Sequence, residues 1–263
     1  MKADYKNWMP KGMLFFLYGG AVVCLALCVV FGAAGVAAEG ALRIVLGVVF
    51  GAGFIFFAVL AALCTNMYLA FSYNGKRKVA KRIIQKVAAY VSIPDGGKGL
   101  DVGCGSGALT IACAKGNPNA QMIGIDRWGK EYASFSQALC ESNARVEGVK
   151  NVTFMRGDAV KLDFADETFD AVTSNYVYHN IKGKDKQQLL SETLRVLKKG
   201  GMFAIHDCMP PSLYGDMQSF VQKLREQGYE RAELIDTSNG LILTAKESRL
   251  YMLRCSTLLV GKK

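Results

Sequence analysis

The chain has 263 residues, 51% of them hydrophobic and 21% charged, with a mean hydropathy of +0.17. It is too apolar for a disordered chain and too charged for a pure bundle of membrane helices, and its length allows one or two domains. The net charge of +10 is concentrated: residues 76–98 hold seven basic residues and one acid, whereas residues 99–263 hold 21 basic and 19 acidic ones. A protein that grips a nucleic-acid backbone spreads a basic face over its globular part, so nucleic acid is not an expected partner. The eight cysteines show no C-x-x-C spacing and read as reduced thiols. With two histidines, His179 and His206, no metal site is expected.

No charged residue occurs from Gly12 to Ala38, and none from Ile44 to Gly75. Each run exceeds the roughly 20 residues that cross a bilayer core. Val36-Ala37-Ala38 looks like a signal cleavage site. The apolar run before it is longer than the roughly 7–15 residues of a signal sequence, and a second run follows at once. Residues 1–75 are therefore expected to form a transmembrane helical hairpin. Lys2, Lys6 and Lys11 precede it, and Lys76, Arg77, Lys78, Lys81, Arg82 and Lys86 follow. The positive-inside rule then puts both termini and the following domain in the cytoplasm. Gly47 and Gly51 form a G-x-x-x-G that suits close packing of the two spans or a homodimer. The spans hold no ionisable pair to suggest a transport path, so they read as an anchor.

Residues 76–98 begin KRKVAKRIIQKVAAYV. Val79, Ile83, Ile84, Val87 and Val91 recur at helical spacing, with basic residues on the other faces. Such a helix suits an anionic lipid surface, or the flank of a sheet with its apolar stripe inward. Pro94-Asp95-Gly96-Gly97 ends it.

Residues 99–263 alternate short apolar runs with helical patterns. Strands are expected at 99–102, 121–125, 152–155, 171–174, 202–206, 232–235 and 256–260. Helices are expected near 108–115, 129–146, 185–197 and 213–227. That alternation predicts an α/β fold with a seven-stranded, mostly parallel sheet covered by helices on both faces.

The first of these strands runs into Asp101-Val-Gly103-Cys104-Gly105-Ser-Gly107-Ala108. A glycine-rich turn between strand and helix lets backbone N–H groups approach a ligand closely. Asp126 ends the next strand, 19 residues past Gly107, where a carboxylate meets ribose hydroxyls. So far this indicates an adenosine cofactor; Gly103-x-Gly105-x-x-Ala108 also fits a nicotinamide dinucleotide. Asp101 favours the other side, because a carboxylate beside the turn repels a pyrophosphate and suits a cationic amino-acid ligand. Gly157-Asp158-Ala159 follows the third strand, Phe169 to Asn175 forms the fourth, and Leu197-Lys-Lys-Gly200-Gly201 leads into the fifth.

In their order and spacing these features resemble the class I S-adenosylmethionine-dependent methyltransferases, over roughly residues 80–263. The resemblance implies a Rossmann-like fold with S-adenosyl-L-methionine as cofactor. It assigns the turn of Asp101, Gly103, Cys104, Gly105 and Gly107 to the methionine part, and Asp126 to the ribose. Asp158 and Ala159 fall beside the adenine, and Asn175 and Tyr176 in the reaction pocket. Where the family often stacks an aliphatic residue on the adenine, Arg127 and Trp128 follow Asp126, and either flat group suits the ring.

Methyl transfer from a sulfonium is an in-line displacement that needs positioning, and a base only where the acceptor loses a proton. His179 is the candidate base, with Tyr176 and Tyr178 lining the acceptor pocket. His206-Asp207-Cys208 is a second cluster, expected to be structural or pocket-lining. An anchored enzyme of this kind favours a small lipophilic acceptor: a quinone precursor, a phospholipid headgroup or another apolar molecule. A nicotinamide oxidoreductase and a non-catalytic cofactor-binding scaffold are the alternatives.

Overall fold

The structure, a computed structural model, describes residues 2–36, 39–129 and 134–263. The chain divides into two compact units, residues 7–78 and residues 79–263 together with the N-terminal six.

In the first unit, α1 (Lys11–Leu27) runs on into a π-helical turn, Cys28–Ala33, and α2 (Gly40–Phe71) returns. Both helices are long and apolar enough to cross a membrane. They are not the core helices of a soluble domain, because Phe15, Phe16, Ile44, Val48 and Ile55 are all more than 60% exposed. Small residues set the packing within the hairpin. A Cβ on Gly32 would lie 2.8 Å from the Cα of Gly47, and one on Gly51 would lie 3.6 Å from Cys28 Sγ. Gly47 and Gly51 thus serve close packing of the two helices, one of the two roles expected for them.

The second unit begins with α3 (Val79–Ala88). Val79, Ala80, Ile83, Ile84 and Val87 are all buried, so the amphipathic stripe packs inside the domain and only the basic face is left for solvent. Then follow β1 (Lys98–Val102), α4 (Ala108–Gly116), β2 (Gln121–Asp126), α5 (Gln137–Val146), β3 (Val152–Arg156), β4 (Phe169–Asn175) and α6 (Lys186–Arg195). The chain closes with β5 (Leu197–Cys208), α7 (Pro211–Tyr214), α8 (Met217–Glu226), β6 (Arg231–Asp236), α9 (Ala245–Leu250) and β7 (Ser256–Lys262). All seven expected strands are present. They form one sheet in the order β3-β2-β1-β4-β5-β7-β6, parallel except for β7, which runs antiparallel to β5 and β6.

Three local expectations need correction. Part of the helix expected from Gly129 lies outside the described residues, and α5 starts at Gln137, capped by Ser136 Oγ accepting from Leu139 N. The single helix expected over 213–227 is two, because Gly215 takes φ +66° and Asp216 caps α8 afresh. The stretch from Leu197 to Gly201 is no turn into β5. It is the start of that strand, with a register shift between Phe169 and Ala171 on β4. A Cβ on Gly201 would sit 3.0 Å from Asp170 O, so only glycine lets the bulged backbone come this close.

The central strands are buried on both faces, as parallel strands under two helix layers must be. Leu100, Val102, Val172, Leu197 and Phe203 are fully buried; each contributes about 1.5–3 kcal/mol by leaving water. The chain steps outward from β1 to β2 and β3, then crosses back to β4. The C-terminal ends of β1 and β4 therefore flank the crevice where such sheets bind ligands.

Candidate active site

The loop after β1 has its glycines where a side chain is disfavoured. Gly103, Gly105 and Gly107 adopt φ of +74°, +57° and +81°. A Cβ on Gly103 would fall 2.4 Å from Val177 Cγ2, so the loop touches the segment that follows β4. The N–H groups of Gly103 and Cys104 both donate to Ile125 O, at 2.8 and 2.9 Å, which folds the loop onto the end of β2. Gly105 N donates to Asp126 Oδ2 at 2.9 Å, and Trp128 N to Asp126 Oδ1 at 2.8 Å. Each carboxylate oxygen keeps a further lone pair for a hydroxyl pair such as a ribose presents.

Asp101 takes a different place from the one expected. It is 1% exposed, and its oxygens accept from Thr110 Oγ1 at 2.6 Å and Thr173 Oγ1 at 3.1 Å. Burial raises its pKa to about 6. It braces the loop from beneath, between α4 and β4, and does not reach the surface to meet a cationic ligand. Cys104 is buried, which pushes its thiol pKa up, and it fills space in the loop as a small apolar side chain. Trp128 Nε1 donates to Gly105 O at 2.9 Å, so the indole lies on the glycine loop. Arg127 lies beside Asp158, 3.9 Å away, and of the two it is the one near the adenine-side acid. Asp158 is half-exposed and caps its own turn, accepting from Val160 N at 2.9 Å. Ala159 is buried beside it. Positive-φ glycines, a half-buried carboxylate at the end of β2 and an exposed one after β3 fit an adenosine ligand stretched over the strand ends.

The segment after β4 sorts the remaining candidates. Asn175, at the end of β4, is paired with His206 on β5. His206 is 1% exposed, and burial lowers its pKa to about 4, so it is neutral at pH 7. Its Nδ1 lies 2.9 Å from Asn175 Oδ1 and its Nε2 2.8 Å from Thr237 Oγ1. Asn175 and Thr237 hold the two ring nitrogens between them, and the Thr237 hydroxyl donates to Ser256 O at 2.9 Å. Tyr176 sits at φ +56°; its hydroxyl is 2.7 Å from Ser256 Oγ, and its ring meets those of His206 and His179 edge-on. The ring is a wall and the hydroxyl is spoken for. Tyr178 is fully buried, with its hydroxyl 2.6 Å from Thr193 Oγ1. It belongs to the core and does not line a pocket, which corrects the expectation.

His179 is the one candidate whose ring has a strong orienting partner. Its Nδ1 hydrogen-bonds Asp207 Oδ1. Asp207 is fully buried and also accepts from the N–H groups of Tyr178 (2.8 Å), His179 (3.2 Å) and Cys208 (2.7 Å), and from Tyr214 Oη (2.9 Å). All five partners of this carboxylate donate to it, so His179 Nδ1 carries a proton and the ring lone pair falls on Nε2. The His179 side chain is 28% exposed, open to a reactant. Asp207 was read only as part of a structural cluster. The missed signal was that β4 and β5 are neighbours, which brings residues 179 and 207 to one edge.

The sequence model of the methyltransferase-domain family matches residues 93–254, more than half of the chain. The chain belongs to that family. The demethylmenaquinone methyltransferase of Bacillus cytotoxicus is 31% identical over 158 residues, covering 59% of this chain and 61% of the relative. That of Geobacillus stearothermophilus is 28% identical over 165 residues, covering 62% and 66%. The chain thus spans less than two thirds of the length of these curated relatives. Among solved structures, geranyl diphosphate methyltransferase in complex with GPP and sinefungin superposes with a TM-score of 0.53 at 12% identity, over 69% of this chain and 78% of that one. The [4+2]-cyclase SpnF gives 0.51 at 22% identity, over 70% and 81%. These likenesses establish the class I fold, and S-adenosylmethionine is the cofactor of the class. A fold shared by a methyltransferase and a cyclase leaves the acceptor chemistry to the side chains.

Proposed function

We propose that this methyltransferase is membrane-anchored and methylates a small lipophilic acceptor bearing an acidic hydroxyl, of the quinol kind. The observation that carries the reading is the His179–Asp207 pair beside the glycine loop. A base held by a buried acid is wasted on an acceptor with no proton to lose. The naming of the curated relatives as demethylmenaquinone methyltransferases supports a ring of this type.

When bound, S-adenosylmethionine supplies a methyl carbon activated by its positive sulfur. The glycine loop would take its methionine end, Asp126 would accept from the ribose hydroxyls, and Asp158 would face the adenine amine. Asn175 lies at the floor of the crevice, and the Tyr176 ring forms one wall. His179 Nε2 accepts the hydroxyl proton of the acceptor, which leaves electron density on the acceptor for attack on the methyl. Asp207 holds the ring and stabilises the imidazolium that forms. In that displacement the methyl–sulfur bond would break as the new bond forms, with the electron pair staying on sulfur.

Two exposed apolar helices support the anchor. Residues 2–6 and residues 79–263 fold into one unit, so both ends of the hairpin belong on the same side of a bilayer. The basic residues at those ends favour the cytoplasmic side. The basic face of α3 carries Lys81, Arg82 and Lys86, charges that suit an anionic lipid surface, with Arg82 also paired to Glu247.

The test uses the full chain in detergent. S-adenosylhomocysteine and NADH are titrated calorimetrically, and labelled S-adenosylmethionine is then offered with a reduced naphthoquinone or with phospholipid. Binding of the first ligand alone, with label entering the quinol, is expected. Label entering the phospholipid instead overturns the acceptor, and cofactor binding with transfer to neither returns the chain to a scaffold.

A further inference from the structure

The start of the chain carries a feature that the reading above does not use. Residues 2–6 fold with the methyltransferase domain, although they precede the hairpin in sequence. They form neither helix nor strand, yet Ala3 and Tyr5 are only 7% and 4% exposed. One side chain on α5 holds their backbone from both directions. Asn143 Oδ1 accepts from Asp4 N at 2.8 Å, and Asn143 Nδ2 donates to Asp4 O at 3.0 Å. The same amino group donates to Ser106 O at 3.0 Å, and the Ser106 hydroxyl donates to Tyr5 O at 2.9 Å.

Asn143 and Ser106 are themselves 2% and 6% exposed. Buried polar groups of this kind need their partners. Without residues 2–6, the Asn143 oxygen and the Ser106 hydroxyl lose the bonds described here. Ser106 sits between Gly105 and Gly107, both at positive φ, and Gly105 N is the group that bonds Asp126. The glycine loop is therefore braced on one side by Asp126 and on the other by the N-terminal segment. A loop of three glycines has more freedom to lose on binding than any other sequence, and bracing it removes that cost beforehand.

We infer that residues 2–6 are a strap that holds the glycine loop in its cofactor-binding shape, with Asn143 and Ser106 as its receptor. This rests on the reading of that loop as the cofactor site. The strap joins the first apolar helix through only residues 7–10. A fragment made of residues 76–263, which sequence boundaries alone recommend, lacks the strap.

The experiment compares the full chain in detergent with a deletion of residues 2–6 and with Asn143→Leu, which keeps the volume but makes no hydrogen bond. S-adenosylhomocysteine affinity is measured by calorimetry, and amide hydrogen exchange is followed at residues 103–109 without ligand. Both variants are expected to bind at least tenfold more weakly and to exchange faster in that stretch, with exchange in β4 and β5 unchanged. A deleted chain that binds within twofold of the intact one, with the loop equally protected, refutes the strap alone. An intact chain that does not bind S-adenosylhomocysteine refutes the cofactor reading, and the strap with it. If Asn143→Leu fails to fold, the deletion decides, because it removes no part of the sheet.

Discussion

Asp207 holds His179 at two points, accepting from its backbone N–H at 3.2 Å and from its ring Nδ1. The two residues lie 28 positions apart and meet because β4 and β5 are parallel neighbours that end together. The backbone bond fixes where the imidazole starts and the ring bond fixes how it turns. A side chain at a short 3-10 turn, Tyr178–Asn180, thereby gains the precision that a rigid element would give it.

His179→Gln is expected to slow methyl transfer to a hydroxylated acceptor by about 10²–10⁴-fold, the usual contribution of a positioned base. S-adenosylhomocysteine affinity should stay within twofold, because the residue lies outside the glycine loop. Asp207→Asn should give a comparable loss by another route. An amide that donates to Nδ1 forces the proton onto Nε2 and removes the lone pair that faces the acceptor. Single-turnover rates with a quinol check both variants, and equal rates in variant and parent rule His179 out as the base.

Asp126→Ala is expected to weaken S-adenosylhomocysteine binding by ~1–3 kcal/mol, the range for one charged hydrogen-bonding group. It also removes the acceptor of Gly105 N and Trp128 N, so the loop should loosen as well. Asp101→Asn should cost much less affinity, because Asp101 touches Thr110 and Thr173 inside the domain. Calorimetry on the two variants separates the roles. A larger loss for Asp101 would show that the buried acid, and not the one at the end of β2, faces the ligand.

Much of this was legible in the sequence. The short apolar runs mark all seven strands, and the spacing of Gly103, Gly105, Gly107 and Asp126 points to the cofactor end, because those residues lie close along the chain. The acceptor end was harder to read. Tyr176, Tyr178 and His179 fall in one hexapeptide, and their neighbours in sequence do not tell which side chain turns inward. The structure buries Tyr178 against Thr193 and leaves His179 to Asp207, a choice made by strand adjacency and by the left-handed backbone at Tyr176. The strap was invisible for a similar reason. Asp4 and Asn143 are 139 positions apart, and nothing in MKADYK signals a partner.

Within the hairpin, Gly47→Leu is expected to force α1 and α2 apart, since a Cβ there would already lie 3.2 Å from Gly32 Cα. Cysteine cross-linking between the helices, for instance from Cys28, should fall in that variant. The oligomeric state in detergent should be unchanged, because the glycine faces its own hairpin. A dimer lost on this substitution would restore Gly47 and Gly51 to a surface between two copies.

The buried groups at the two strand ends titrate in opposite senses. Asp101 has its pKa raised by burial from 3.8 to about 6, so the native state holds its proton more tightly than the unfolded chain does. Its stabilising contribution is full below pH 3.8 and is lost as pH rises through about 6. His206 has its pKa lowered by burial from 6.5 to about 4, so the unfolded chain binds the proton more tightly. Its contribution is full above pH 6.5 and is lost as pH falls through about 4. Each is worth about 3 kcal/mol at 1.36 kcal/mol per pH unit, and in the parent protein the two nearly cancel across this window. Removing one should expose the other. Relative to the parent, Asp101→Asn should gain stability as pH rises from 4 to 7, and His206→Gln should gain it as pH falls over the same range. Thermal unfolding of the full chain at several pH values reads the two slopes. Parallel curves for parent and variants would mean that neither group is titrating in the folded protein as its burial demands.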